Sequence, residues 1–240
     1  MKIFRGFALA WNMLTILPFF KVHDFFKGIN GYSVMLYPLV GLLLGTVLFL
    51  VHFALSGIVP PLHAGVIVFV LWVVLSGGLH LDGFSDTVDG LFVARDKAIT
   101  VMKDAHVGGM GMVFTVVFLL LKLSSLLFME AYYLLPVVLM LSRFNASVAI
   151  YFYKYISSGV GTLLKEEFTK QQLLVALAYT LVVAYLFSFV FAFIVSLLVL
   201  LLIARFFIHR LGGLSGDIYG FIIEVSELVL LNYIVIAYSL

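Results

Sequence analysis

Residues 173–208 read LLVALAYTLVVAYLFSFVFAFIVSLLVLLLIARFFI, a run of 36 residues in which Arg205 is the only charge. A helix rises about 1.5 Å per residue, so this run would extend roughly 54 Å, whereas the hydrocarbon layer of a bilayer is only about 30 Å thick. The run is therefore too long for one membrane crossing. It predicts two membrane helices joined by a tight turn near Phe187 and Ser188.

The rest of the chain has the same apolar character. Of its 240 residues, 64% are hydrophobic and 11% are charged, which is too little polar surface for a soluble domain. The apolar runs lack the alternation of barrel strands, and this favours helices. We therefore predict an all-α membrane bundle that forms a single integral membrane domain over residues 1–240. Seven spans are expected, at 33–56, 62–79, 108–128, 132–153, 172–188, 189–208 and 217–239.

Composition also excludes several classes of site and partner. The chain has no cysteine, which excludes disulfides and thiolate-bound metals. A net charge of +2 is too small to suggest a nucleic-acid partner. The lipid bilayer is the expected surrounding, and the composition leaves the oligomeric state open.

The N-terminal residues have an amphipathic pattern. Phe4, Phe7, Ala8, Trp11 and Leu14 follow helical spacing, and the basic residues lie largely elsewhere around the helix. The segment begins like a signal peptide, but residues 17–21 offer no small-residue cleavage site. We expect an uncleaved amphipathic helix that lies in the membrane interface.

Basic residues alternate between successive connections. Twelve of the 14 lysines and arginines lie before the first span or in the segments 80–107, 154–171 and 205–216. The connections near 57–61, 129–131 and 188–189, and the C-terminal tail, carry none. Because cytoplasmic loops are enriched in lysine and arginine, this pattern predicts a multi-pass protein of the cytoplasmic membrane with its N-terminus inside the cell.

The segment after the second span contains three aspartates. Residues 77–90 read GGLHLDGFSDTVDG, and Asp82, Asp86 and Asp89 would fall within about 60° of one another on a helix. Carboxylates about 4 Å apart repel by roughly 4 kcal/mol per pair at an effective dielectric near 20. A divalent cation would remove this repulsion, and oxygen ligands favour Mg²⁺ or Mn²⁺ over zinc. The alternative is an ordinary polar loop whose aspartates face water.

A second polar segment follows in the same predicted cytoplasmic region, where residues 101–111 read VMKDAHVGGMG. Lys103 and His106 are suited to contact a phosphate, and Asp104 could bind a metal or orient a nucleophile. The glycines would let the backbone approach a ligand closely at the start of the third span. Glycines at the end of a membrane helix nevertheless more often serve packing.

The last span also carries acidic residues. Asp217 and Glu224 share one helical face, and Glu227 lies further round. Charges at this depth are costly and need a cavity or a partner, and Lys122 and Arg143 are the opposite charges within spans. A purely structural ion pair, such as Arg143 with Glu224, is the alternative to a functional role.

The predicted topology places all three segments at the cytoplasmic ends of the second, third and seventh spans. Helices of one bundle can bring such ends together. Carboxylates, a few cations and flexible glycines on one side suggest a metal-dependent phosphoryl-transfer site that opens to the cytoplasm.

These residues resemble a known family. The runs GGLHLDGFSDTVDG and VMKDAHVGGMG, together with LGGLSGDIYGFIIEVSE at 211–227, are similar to those of the adenosylcobinamide-GDP ribazoletransferase (cobalamin synthase) family. The pair Ser142-Arg143 and the segment 37–41 also fit, so the likeness covers nearly the whole chain. The chain departs from the family pattern in having Ile16 in place of an arginine, and Ala105-His106 in place of a serine-arginine pair.

The resemblance implies the last step in the assembly of the cobalamin nucleotide loop. A ribose hydroxyl of α-ribazole, or of its 5′-phosphate, would attack the corrinoid-side phosphorus of adenosylcobinamide-GDP, and GMP would leave. One or two Mg²⁺ ions are the expected cofactor, held by Asp82, Asp86 and Asp89. Either Asp104 or His80 would orient or deprotonate the hydroxyl. Further substrate contacts are expected from Lys103 and His106 at the phosphates, from Asp217 and Glu224 at the metal or corrinoid, and from Arg143.

Two other classes of protein share parts of this pattern. A CDP-alcohol phosphotransferase also uses an aspartate cluster at the membrane surface, but the spacing from Asp86 to Ala94-Arg95 is one residue too long for its signature and the downstream aspartate pair is missing. A cation-coupled transporter would also place acids such as Glu224 inside a bundle. Its main site would lie near the midplane, and the chain shows no obvious inverted repeat.

Overall fold

The computed structural model describes residues 1–17, 20, 22, 26–104 and 106–238. Pro18, Lys21 and Ala105, which belong to the patterns above, lie outside these ranges. The described part of the chain is helical and contains no β-strand. Its α-helices are α1 (Lys2–Leu14), α2 (Ile29–Leu55), α3 (Pro61–Leu75), α4 (Leu79–Leu91), α5 (Arg95–Met102), α6 (Gly109–Leu127), α7 (Leu135–Phe152), α8 (Val160–Glu167), α9 (Lys170–Leu186), α10 (Val190–Leu211) and α11 (Gly216–Tyr238), and a 3₁₀ turn (Tyr132–Leu134) precedes α7.

The helices confirm a multi-pass bundle. Within the described residues, α2, α6, α10, α11 and the unit of 3₁₀ turn and α7 are each long and apolar enough to cross a membrane. Two bent pairs, α3 with α4 and α8 with α9, bring the number of spans to as many as seven. The turn predicted between the two helices of the run 173–208 is also confirmed. Helix α9 ends at Leu186, Ser188 has a φ of 54° and α10 begins at Val190.

The second predicted span differs from the expectation of one straight helix over 62–79. Helix α3 ends at Leu75, and Gly77 and Gly78 follow with φ angles of 65° and 67°. A residue with a Cβ is strained in this left-handed conformation, so glycine is the residue that allows the chain to turn here. Helix α4 then starts at an angle of 79° to α3. The aspartate segment is therefore a separate helix within the bundle.

The predicted N-terminal helix is confirmed as α1, and its predicted apolar face packs on the bundle through Ala8 and Leu14, which are buried, and through Phe7 and Trp11, which are partly buried. Its buried residues are mainly small, Gly6, Ala8 and Ala10, together with Leu14. A Cβ at Gly6 would collide with Tyr32 of α2. Close packing of the two helices therefore uses the small residues. The position of α1 relative to the membrane interface stays a prediction.

Helix α7 forms the centre of the bundle. Its residues from Leu135 to Ser147 are all buried, and it packs along α2. Gly41 and Gly45 of α2 face the backbone of Leu139 and Pro136, where a Cβ would collide. Small residues at such contacts let membrane helices approach closely and gain van der Waals contact.

The outer helices present apolar side chains away from the bundle. Val113 and Leu120 of α6, and Leu198 and Leu202 of α10, are each more than half exposed. A soluble protein would rarely expose a continuous apolar surface of this kind. These faces are the ones that contact lipid in a multi-pass membrane protein.

Four charged side chains form a buried network inside the bundle, which we call the ion cluster: Lys122, Arg143, Glu224 and Glu227. The Lys122 Nζ lies 2.6 Å from Glu224 Oε2 and also binds Glu227. Arg143 pairs with Glu227, whereas the sequence suggested Glu224 as its structural partner. All four side chains are at most 4% exposed. Two cations and two anions compensate one another, which satisfies the need of buried charges for partners.

Candidate active site

Two glycines bring α4 against α11. A Cβ at Gly83 would meet the backbone of Asp217 at 2.9 Å, and a Cβ at Gly220 would meet the backbone of His80 at 3.0 Å. The absence of side chains at both positions permits this close crossing. His80 and Asp82 of α4 are consequently placed beside the first turn of α11, as the predicted convergence of these segments requires.

Asp89 contacts the start of α6. Its two carboxylate oxygens accept hydrogen bonds from the backbone N–H groups of Gly108, at 2.8 Å, and Gly111, at 2.7 Å. A side chain on either glycine would collide with the Asp89 carboxylate. A carboxylate in this position satisfies unpaired N–H groups of the first turn and is favoured by the helix dipole. These glycines therefore serve helix packing, the alternative noted above, and Asp89 anchors α6 to α4.

Three other carboxylates form what we call the acid cluster: Asp82, Asp86 and Asp217. Asp82 is exposed, and Asp86 and Asp217 are half-buried. The charges of Asp82 and Asp217, and also that of Asp89, act on Asp86, and the charge of Asp82 acts on Asp217. Within the described residues, no lysine, arginine or histidine forms an ion pair with any of the three. The acid cluster is thus a region of net negative charge whose carboxylates form no ion pair among the described residues.

The donor set of the acid cluster fits one kind of metal better than others. No three acidic or histidine side chains of the described residues are close enough to enclose an ion together. Mg²⁺ does not need such a cage, because it usually keeps several waters and binds one or two carboxylates together with substrate phosphates. Oxygen donors at a partly exposed position therefore fit a hydrated Mg²⁺ and not a structural zinc.

A cavity of about 280 Å³ opens beside the acid cluster. Asp82 and Asp217 lie on its wall, together with residues from α1, α2, α7 and α8. His80 also lines it, and this side chain is only 4% exposed, with no hydrogen-bond partner in the described structure for either ring nitrogen. The hydroxyl of Tyr219 is likewise buried without a partner. Buried polar atoms are nearly always satisfied, so such groups at a cavity wall indicate a place for a ligand.

Two loops are held together at the edge of this cavity. The backbone N–H of Ile156 donates to the carbonyl of Leu214 at 3.0 Å, and the N–H of Leu214 donates to the carbonyl of Lys154 at 2.8 Å. This pairing holds Tyr155 beside Gly216 and Asp217. Burial raises the pKa of the Tyr155 phenol, so that the side chain is a neutral hydrogen-bonding group.

The residues of the second predicted segment lie at different places. Lys103 donates a hydrogen bond to Ser158 at 3.0 Å, and its charge acts on Asp217, so it lies at the edge of the acid cluster. Asp104 accepts hydrogen bonds from the side chain and backbone of His106, and these hold the pKa of Asp104 below its usual value. The His106 side chain is 93% exposed. Asp104 and His106 therefore form a pair in solvent and do not line the cavity.

Arg143 and Glu224, predicted as substrate contacts, lie in the ion cluster. Their charged atoms are engaged by Glu227 and Lys122, and neither residue lines the cavity. The ion cluster still acts on the site, because the positive charges of Arg143 and Lys122 act on the His80 ring.

The aromatic residues of the site were not predicted from the sequence. Tyr37, Tyr155 and Tyr219 line the cavity from three different elements. The rings of Tyr155 and Tyr219 are stacked, with centroids 6.1 Å apart. The sequence did not single out these tyrosines, because tyrosines are frequent in the chain and are common near membrane interfaces. Of the three, only Tyr219 could have been linked to the site from the sequence, because it lies in the same helical turn as Asp217.

The fold and the site together define a class of protein. A polytopic helical membrane protein with clustered carboxylates beside a partly apolar cavity has the features of a membrane enzyme. A finer assignment comes from comparison with known proteins. Residues 6–235 match the model of the cobalamin-5-phosphate synthase family, and this chain belongs to that family.

Relatives support the assignment over nearly the full length. An adenosylcobinamide-GDP ribazoletransferase of Desulforamulus reducens is 34% identical over 94% of each chain. A protein of the same description from Acinetobacter baumannii is 32% identical over 97% of each chain. Another from Thermosynechococcus vestitus is 38% identical over 81% of this chain and 82% of the relative. No solved structure matches the chain.

Proposed function

We propose that this membrane transferase completes the nucleotide loop of cobalamin by Mg²⁺-dependent transfer from adenosylcobinamide-GDP to α-ribazole or its 5′-phosphate. A ribose hydroxyl oxygen forms a bond to the corrinoid-side phosphorus, and the bond from this phosphorus to the bridging oxygen breaks. GMP leaves with the electron pair, and the hydroxyl proton passes to a base. The transferase class follows from the family, and adenosylcobinamide-GDP is the substrate named for its relatives.

The observation that carries this proposal is the acid cluster beside the cavity, with Asp82 and Asp217 on the cavity wall. One or two carboxylates of the acid cluster would bind Mg²⁺ directly, with Asp82 and Asp217 on the cavity wall and Asp86 beside them, and water and substrate phosphate would complete its coordination. When bound, Mg²⁺ supplies the positive charge that offsets the pyrophosphate and the leaving GMP. Asp89 belongs to the metal set expected from the sequence, and its hydrogen bonds to Gly108 and Gly111 support a structural role instead.

His80 is better placed than Asp104 to receive the hydroxyl proton. Its ring is at the cavity wall, and both nitrogens are without partners in the described structure. Asp104 is exposed and hydrogen-bonded to His106. A base must come within hydrogen-bonding reach of the proton that it removes. We therefore assign His80 to orient and deprotonate the ribose hydroxyl.

Basic side chains at the rim support binding of phosphate. The Lys103 ammonium lies near Asp217 and is exposed, so it can reach a pyrophosphate held at the acid cluster. His106 is also exposed and would add a second contact. The segments 80–107, 154–171 and 205–216 that surround the site are the basic connections, so we place this side in the cytoplasm, with the N-terminus inside and the protein in the cytoplasmic membrane.

The direct test is release of GMP by the protein purified in detergent. With adenosylcobinamide-GDP, α-ribazole and Mg²⁺, we expect GMP and a cobalamin product in equal amounts. EDTA should reduce both to background, and added Mg²⁺ should restore them. Release of CMP from CDP-diacylglycerol and an alcohol, with no activity on the corrinoid, would instead show a lipid phosphotransferase. Cation-dependent uptake of a solute into vesicles without GMP formation would show a transporter.

A further inference from the structure

We infer that the 280 Å³ cavity holds the aromatic base of the acceptor nucleoside, while the corrinoid donor stays outside it. This inference rests on the proposed function, because it assigns one of the two substrates to one part of the site. It goes further in naming where the base binds and which groups select it.

The size of the cavity separates the two substrates. Cavities that enclose small ligands have volumes of about 300–1,000 Å³, and this one is just below that range. A nucleoside with a bicyclic base suits such a volume. The corrin ring of the donor, with its upper ligand and its guanosine diphosphate, is several times larger and must remain at the mouth.

The chemistry of the walls selects an apolar base. Leu14, Ile150, Leu164 and Ile223 contribute aliphatic surface, and Tyr37 and Tyr219 contribute buried rings. The base of α-ribazole is a methylated benzimidazole, which is flat, apolar and rich in surface for ring contacts. Guanine carries several donors and acceptors, and the aliphatic part of the cavity offers them no partners, at a cost in affinity. The donor guanosine is therefore a poor occupant.

The few polar groups of the cavity match the polar end of a nucleoside. His80 and the Tyr219 hydroxyl are buried and unpartnered in the described structure, and Asp82 and Asp217 lie on the same wall. A base bound among the aliphatic residues would point its ribose toward these groups. The reacting hydroxyl would then lie between His80 and the phosphate held at the acid cluster, as the proposed transfer requires.

Helix α8 offers a way to test this without altering the acid cluster. Val160 lines the cavity and is 55% exposed, whereas Leu163 on the same helix is 48% exposed and does not line it. Val160→Trp should fill part of the cavity, and Leu163→Trp is its matched control. Both changes are at exposed positions, where substitutions are usually tolerated by the fold.

The experiment measures KM for each substrate with the purified variants in Mg²⁺. Val160→Trp should raise KM for α-ribazole at least about tenfold and leave KM for adenosylcobinamide-GDP within roughly twofold of wild type. Leu163→Trp should change neither. Tyr219→Phe removes one oxygen and adds no volume, so it tests the same cavity if Val160→Trp fails to fold. It should raise KM for α-ribazole by about fivefold, the effect of one lost hydrogen bond.

Two results would overturn the inference. One is an unchanged KM for α-ribazole in the folded variants, and the other is a rise confined to KM for adenosylcobinamide-GDP, which would assign the cavity to the donor. Wild-type protein that forms no GMP at any concentration of α-ribazole would instead refute the proposed function, so the two failures are distinguishable.

Discussion

The ion cluster and the acid cluster are two groups of charges that differ in whether their members form ion pairs. In the ion cluster, Lys122 and Arg143 face two glutamates, and every side chain is almost fully buried. In the acid cluster, three carboxylates act on one another, and within the described residues no cation forms an ion pair with them. Both lie in the same bundle and involve α11, with Asp217 at its first turn and Glu224 two turns further along.

The difference indicates which charges serve the fold and which serve the substrate. A buried charge without a partner is costly, so charges needed only for stability are compensated within the protein. Carboxylates without an ion-pair partner beside a cavity are stabilised further when a cation and a substrate bind. The comparison predicts that mutations in one cluster affect mainly stability, and mutations in the other mainly turnover.

The largest expected effect is from Asp82→Asn in the acid cluster. Because the amide keeps the size of the side chain but lacks the charge that holds Mg²⁺, turnover should fall by more than about ten-thousandfold, or above ~5 kcal/mol. Stability should not fall, since removing one of three repelling charges costs nothing in the free protein. The measurements are GMP release and the melting temperature in detergent. Asp96→Asn, at an exposed aspartate of α5, is the control and should keep wild-type turnover. A near-normal rate for Asp82→Asn at saturating Mg²⁺ would contradict the metal assignment.

A smaller effect, of the opposite kind, is expected from Glu227→Gln in the ion cluster. This change leaves Lys122 and Arg143 with one carboxylate between them, and loss of one partner from a buried ion pair costs about 3–5 kcal/mol. The melting temperature should fall sharply, while the fraction that remains folded keeps its turnover. Glu224→Gln should destabilise less, because Glu224 pairs with Lys122 alone. Equal stability of wild type and Glu227→Gln would show that the ion cluster is not needed for the fold.

The smallest effect is expected from Asp89→Asn, which tests whether Asp89 has a structural role or a role in turnover. The amide of asparagine can accept only one of the two backbone hydrogen bonds, so stability should fall by about 1–3 kcal/mol. Turnover should fall far less than in Asp82→Asn. The same two measurements apply. Complete loss of turnover at unchanged stability would return Asp89 to the metal set.

Much of the fold was predictable because membrane crossings depend on local composition. The hydrophobic runs located the spans to within a few residues, and the turn near Ser188 followed from length alone. The separate direction of α4 was not predictable. Gly77 and Gly78 permit a bend, but its angle depends on how α4 packs against α11 and α6.

The candidate site was predictable in part. The spacing of Asp82 and Asp86 and the motif around Asp217 indicated a group of acids, and the structure places these three in electrostatic contact. Asp89 has the same spacing but contacts the start of α6, because a helix terminus from elsewhere in the chain lies next to it. The tyrosines of the cavity come from α2, the loop before α8 and α11, and no local pattern joins them.

The sequence by itself determined that the chain is a multi-pass helical membrane protein and which segments carry its acids, because hydrophobicity and spacing are properties of short stretches. Only the tertiary structure decided the partner of each charge: Glu227 for Arg143, the N–H groups of α6 for Asp89, and no cation of the described residues for Asp82. The physical reason is that charge compensation depends on distances of a few ångströms between side chains far apart in the chain.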